Sequence, residues 1–196
     1  MKKFIAGLCL LIAVSANAQW DTLTTGTKAR LKGLAFLNST VGLTCGFDTI
    51  TNKGIILYTA DGGNSWDTAA TTDSVKYKLH AVSYVNANVA IAVGDSGRIM
   101  RSVSSGLTWT ALPVFTTKHL YALQFLNDTL GYIAGEDGVL FRTGDAGATW
   151  DTLNSGTVID LYALKFINIT TGWVAGDGGY IAQTTCTGCL KHFYCG

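Results

Sequence analysis

Apolar runs recur along the chain in a fixed order, separated by polar and glycine-bearing stretches. The first run appears four times: "LKGLAFLN" at 31–38, "LHAVSYVN" at 79–86, "LYALQFLN" at 120–127 and "LYALKFIN" at 161–168, offset by 48, 41 and 41 residues. A second follows each: "TVGLTCGF", "NVAIAVGD", "TLGYIAGE" and "TTGWVAGD". A third follows that: "GIILYT", "GRIMRS", "GVLFRT" and "GYIAQT". A fourth, short element begins at a tryptophan: "WDTL" at 20–23, "WDTA" at 66–69, "WTAL" at 109–112 and "WDTL" at 150–153. Runs this short, rich in aliphatic and aromatic side chains and bounded by Gly, Asn or Asp, are strand signals. No useful helical periodicity follows the first eighteen residues.

Four strands per period of about forty residues predict an all-β chain, a β-propeller of four-stranded antiparallel blades. A lone blade cannot bury both faces, whereas stacked blades can. The chain starts with a Trp-led strand and ends without one. Should four blades close, residues 20–23 would complete the last blade beside 179–184. Otherwise the blades form an open arc of a larger propeller.

Before three of the tryptophans stands a common turn: "TADGGNSW" at 59–66, "SVSSGLTW" at 102–109 and "TGDAGATW" at 143–150. The pattern Ser/Thr-x-Asp-x-Gly-x-Thr/Ser-Trp resembles the Asp-box, or BNR, repeat, which implies a hairpin between the third and fourth strands of a blade. Asp61 and Asp145 are placed to accept backbone N–H bonds. Gly63, Gly106 and Gly147 tolerate a positive φ. Ser65, Thr108 and Thr149 are placed to bond back across the turn. Trp66, Trp109 and Trp150 offer apolar faces to wedge between blades. Ser104 replaces the Asp of the second copy. Repetition favours structural turns, because a catalytic residue is needed once. The wider frame, "GEDGVLFRTGDAGATW" and "GDSGRIMRSVSSGLTW", resembles the photosystem II assembly and stability factor family of Asp-box propellers. That resemblance covers most of residues 20–184 and implies a non-enzymatic assembly factor that binds other proteins, partly through an arginine patch. Here Arg98, Arg101 and Arg142 lie near repeat-equivalent positions where Tyr58 and Gln183 also stand, so the patch is discontinuous.

The opening residues read as a secretory signal peptide over 1–18, with Lys2 and Lys3 ahead of an apolar segment and Ala16-Asn17-Ala18 as the cleavage signature. The expected location is secreted, periplasmic or cell-surface. The propeller then spans 19–185. Nothing later is long and apolar enough for a transmembrane helix. A formal net charge of +1 with no basic run argues against nucleic acid. Residues 186–196 form an atypical Cys-rich tail. Cys186, Cys189, His192 and Cys195 have compressed metal spacing, disulfides are the alternative, and Lys191 in place of a fourth Trp fits a frameshifted or truncated reading frame.

Asp95, Glu136 and Asp177 recur in one turn, "GDSG", "GEDG" and "GDGG", where carboxylates could receive a cation or a basic partner segment, or simply shape a hairpin. His80 and His119 sit near the starts of inner strands with no third recurring zinc ligand. The sequons at Asn38, Asn127 and Asn168 are explained by turn preference. A sialidase-type site is excluded by composition: the chain has four Arg, and Glu136 is its one Glu. No cofactor or metal is called for. The function expected is an exported non-catalytic protein-interaction or assembly module. Its binding face would carry those turns and the variable linkers 70–78, 113–119 and 154–160, with Tyr77, Lys78, Phe115 and Lys118 as contact candidates. The alternative is a carbohydrate-active protein, glycan-binding or a hydrolase fragment.

Overall fold

A computed structural model describes residues 20–71 and 76–184. The signal-peptide reading and the Cys-rich tail lie outside the described residues. Blade 1 comprises β1 (Arg30–Phe36), β2 (Gly42–Phe47), β3 (Gly54–Thr59) and β4 (Asp67–Thr68). After the two-residue strand β5 (Ala70–Thr71), blade 2 comprises β6 (Leu79–Tyr84), β7 (Ala90–Gly94), β8 (Ile99–Ser102) and β9 (Thr108–Ala111). Blade 3 comprises β10 (Leu120–Phe125), β11 (Gly131–Gly135), β12 (Leu140–Thr143) and β13 (Asp151–Leu153). Blade 4 comprises β14 (Leu161–Phe166), β15 (Gly172–Gly176) and β16 (Ile181–Thr184). Each blade is an antiparallel meander, and together they form a four-bladed β-propeller. β5 crosses to the next blade, where it pairs in parallel with β9.

The second strand of each of the first three blades is buried throughout, because it lies between a strand on either side and is covered by a neighbouring blade, on both faces in blades 2 and 3 and on one face in blade 1. Apolar side chains fill the spaces between blades. Leu43, Cys45 and Ile56 of blade 1 pack with Leu79, Val82 and Trp109 of blade 2. Ile91, Val93 and Ile99 of blade 2 pack with Leu120, Ile133 and Trp150 of blade 3. Ala134 and Leu140 of blade 3 pack with Leu161 of blade 4. Burial pushes the Cys45 thiol up to about 12.

The Asp-box turns are built from their own polar atoms. Asp61 accepts the Ser65 N–H (2.9 Å), the Ser65 hydroxyl (2.6 Å) and the Thr59 hydroxyl (2.8 Å). Asp145 accepts the equivalent bonds from Thr149 and Thr143. In blade 2 the Ser104 hydroxyl accepts the Thr108 N–H at 2.9 Å. Gly63, Gly106 and Gly147 have φ of 94°, 92° and 74°. At the same end of each blade, the Asn38, Asn127 and Asn168 side chains cap the turn between first and second strands.

Those bonds make the turns acid-sensitive. The Ser65 hydroxyl and N–H and the Thr59 hydroxyl hold the Asp61 carboxyl down at about 2, from an ordinary 3.8. Burial pushes Asp145 up, yet its bonds from Thr149 and Thr143 outweigh that and lower it. A carboxyl lowered by folding stabilises fully above its unfolded value and loses that contribution as pH falls through its folded value. The blade 1 turn should therefore weaken between 3.8 and about 2. Carboxyl carbon shifts in an NMR titration should show Asp61 titrating near 2, and Asp61→Asn should abolish that transition. A midpoint near the ordinary value would contradict the bonding described.

Residues 20–23 do not complete blade 4. No strand forms there, Trp20 is 99% exposed, and the last sheet has three strands among the described residues. The reason is geometric. Among the described residues, packing runs from blade 1 to 2, 2 to 3 and 3 to 4, with nothing comparable between blades 4 and 1. The N-terminal stretch instead lies along blade 1, with Leu23 Cδ1 3.3 Å from where a Cβ on Gly63 would stand.

Candidate functional site

Every first strand carries a β-bulge near its start. Register steps from Leu31 to Gly33, from Leu79 to Ala81, from Leu120 to Ala122 and from Leu161 to Ala163. The skipped residues, Lys32, His80, Tyr121 and Tyr162, stand outside the ladder, and a bulge re-aims the side chain it frees. The freed rings of three blades meet. His80 and Tyr121 lie edge-on at 5.5 Å between centroids, and Tyr121 and Tyr162 at 5.0 Å.

The turns joining second to third strands supply carboxylates to the same place. Ser96 and Asp137 adopt φ of 53° and 52° there, each followed by a positive-φ glycine, which closes a tight type I′ hairpin. His80 Nε2 lies 2.7 Å from Asp95 Oδ1. His119 Nδ1 lies 3.2 Å from the same oxygen and 3.1 Å from the Ser96 N–H. A bare Nδ1 accepts from Ser96, whereas a protonated one donates to Asp95, so these two contacts alternate. Glu136 accepts the His119 backbone N–H at 2.9 Å. Tyr162 donates to Asp177 (3.3 Å) and to Asp160 (3.4 Å). Burial first, then the charges of Asp160 and Glu136, push the Tyr121 phenol up to about 12. Burial first, then Asp177 and Asp160, also raise Tyr162. Both phenols therefore stay hydrogen-bond donors at any physiological pH.

The structure thus brings Asp95, Glu136 and Asp177 together with both histidines at one mouth of the propeller. The linker candidates are spread around it. The Lys78 ammonium lies 5.0 Å from the Phe47 ring centre, and Arg98 stacks over Tyr77 at 4.8 Å. Lys118 pairs with Asp137, whose bond and charge raise the ammonium and keep it protonated. Phe115 is exposed, with no ring partner among the described residues. Sequence reasoning did not single out Tyr121, Tyr162, Asp137 or Asp160. Tyr121 and Tyr162 occupy the same repeat column as His80, so reading that column across blades would have found them. Around the mouth, Arg30, Lys32 and Lys78 belong to blades 1 and 2 and Asp137, Asp160 and Asp177 to blades 3 and 4, while Asp95 stands in the blade 2 turn and Lys118 beside Asp137.

A separate cavity of about 420 Å³ lies between blades 3 and 4, lined by Leu130, Tyr132, Arg142, Leu153, Phe166 and Trp173 among others. Its lining contains no carboxylate, so the paired acids of glycoside hydrolysis are not assembled there. Among the described residues no cluster of three His, Cys, Asp or Glu is arranged to hold a metal ion.

Comparison with known proteins gives two kinds of likeness. A family model described as photosynthesis system II assembly factor YCF48 matches residues 12–119, more than half the chain. Among solved structures, YCF48 from Cyanidioschyzon merolae is 17% identical with a TM-score of 0.59, over 79% of this chain and 50% of that one. The chain therefore spans half the length of that protein. The computationally designed protein Ika4 is 13% identical with a TM-score of 0.65, over 87% of this chain and 100% of its own. An ancestral GH74 enzyme is 17% identical with a TM-score of 0.65, over 87% of this chain and 24% of its own. No curated protein sequence matches.

Proposed function

The chain belongs to the photosynthesis system II assembly factor YCF48 family, and on that premise we propose that it is an exported, non-catalytic module that binds a basic segment of another protein. The observation that carries this reading is the propeller mouth, where Glu136, Asp160 and Asp177 surround the hydroxyl-donating rings of Tyr121 and Tyr162. Carboxylates receive lysine and arginine, and tyrosine faces add cation–π contact. Partly exposed groups suit a ligand better than a fully satisfied core does. Export is supported by the signal-peptide pattern of residues 1–18. The likeness to a GH74 enzyme concerns the fold and brings no activity with it.

The test is binding of Lys/Arg-rich against Ser/Gln-rich peptides, followed by fluorescence anisotropy. The basic peptide should bind more tightly, with an affinity that falls as salt rises. Replacing Asp160 and Asp177 together by Asn should weaken it about tenfold, equivalent to about 1.4 kcal/mol, and Tyr162→Ala should act in the same direction. Equal binding of both peptides, or indifference to these substitutions, would refute the reading.

A further inference from the structure

Among the described residues, two flanks of the propeller are left without partners, one on blade 1 and one on blade 4. The first strand of each later blade turns two apolar residues toward the blade before it. Leu79, Leu120 and Leu161 are fully buried in that role, and Val82 nearly so. The equivalents in blade 1, Leu31 and Leu34, are exposed, Leu34 by 65%. The third strand of each blade turns one apolar residue toward the blade after it. Ile56 and Ile99 are 1% exposed and Leu140 9%, whereas the blade 4 equivalent Ile181 is 69% exposed.

A third mismatch concerns tryptophan. Trp109 fills the space between blades 1 and 2, and Trp150 that between blades 2 and 3. The glycines of their turns face Leu43 and Ile91 on the preceding blade. Tyr132 is the equivalent residue of blade 3, and it lines the cavity between blades 3 and 4. Meanwhile Trp20 stands in solvent at the head of a "WDTL" identical to that at 150–153. It precedes Leu31 by 11 residues, the spacing of Trp109 from Leu120 and of Trp150 from Leu161. Residues 20–23 are thus spaced as the fourth strand of a blade that would stand before blade 1.

We propose that a second copy of the chain supplies that blade. Blade 4 of each copy packs on blade 1 of the other, residues 20–23 pair with the open edge of the other copy's β16, and the Trp20 indole fills its cavity between blades 3 and 4. Charge supports this pairing. In each existing interface the residue just before the first strand reaches the hairpin of the preceding blade. Lys78 reaches Phe47, His119 reaches Asp95, and Asp160 accepts the Asp137 N–H at 2.9 Å. In the proposed interface those positions are Arg30 and Asp177, a cation meeting a carboxylate. The contact is head-to-tail, and the proposed ring holds two such contacts, each joining blade 4 of one copy to blade 1 of the other. It continues the packing already present between consecutive blades.

Light scattering on the full exported chain under reducing conditions should give twice the chain mass, and Trp20→Ala should halve it. Arg30→Asp alone and Asp177→Arg alone should each be monomeric. Mixing these two variants should restore a dimer containing one of each, since both of its interfaces then pair opposite charges. Restoration excludes misfolding as the cause of the single defects. A wild-type chain that stays monomeric at all concentrations overturns the proposal, as does a dimer indifferent to Trp20→Ala and to both charge reversals.

Discussion

Replacing Trp109 by alanine is expected to lower the unfolding free energy by about 3–5 kcal/mol, the usual cost of emptying a large buried aromatic site. Trp109 is fully buried, it touches the cores of two blades, and its indole N–H donates to the Gly106 carbonyl at 2.8 Å. The loss therefore combines a void between blades with a carbonyl left without its donor. Denaturant titration should show a lowered midpoint, with an unchanged slope if unfolding stays two-state. Two companions separate the contributions. Trp109→Phe keeps most of the packing and strands the carbonyl. Trp150→Phe should cost less, because the Trp150 N–H is buried with no hydrogen-bond partner among the described residues. Equal costs for the two phenylalanine variants would mean that the Gly106 bond contributes nothing.

Gly94→Ala should destabilise by about 3 kcal/mol, at the upper end for overpacking. The added Cβ would stand 1.9 Å from the Lys78 carbonyl oxygen. Gly94 has φ of −168°, which any residue adopts, so space alone forbids the methyl. Relief requires the two strands to part, which pulls on the bond from the Asp95 N–H to Lys78 (2.9 Å) and with it on the contact between Asp95 and His80. Gly156 is the control. Nothing lies within 4 Å of its missing Cβ, but its φ is 72°, so alanine there carries only the conformational penalty of about 1–2 kcal/mol. Thermal melts of both variants check the order, and a Gly94→Ala protein as stable as Gly156→Ala would contradict the packing described.

The blades were legible because their constraint is periodic. Leu79, Leu120 and Leu161 sit at one repeat position and meet one environment, so alignment alone finds them. What escaped was set by single residues in three dimensions. The bulges that free His80, Tyr121 and Tyr162 leave no mark in composition. Strand β5 exists because residues 70–71 reach the edge of β9, a contact between neighbouring blades that repeat spacing does not encode. The first carboxylate position is taken by Phe47, which lies beneath the Arg30 and Lys78 cations, so the ring of acids inferred from three turns is an arc. The N-terminal strand failed for a different reason. Its sequence is right for a fourth strand, but blades 1 and 4 of one chain do not pack together as consecutive blades do.

The bulges also bear on how such a protein can change. Residues 32, 80, 121 and 162 take no part in the strand ladders, and their inward-packing neighbours hold the blades regardless of what stands there. Lysine, histidine and tyrosine already share that one position within a single chain. Mutations at these sites can therefore drift at little cost to folding, whereas the buried leucines one residue before them, Leu79, Leu120 and Leu161, cannot. The scaffold separates the part of the surface open to selection for new ligands from the part held fixed by stability.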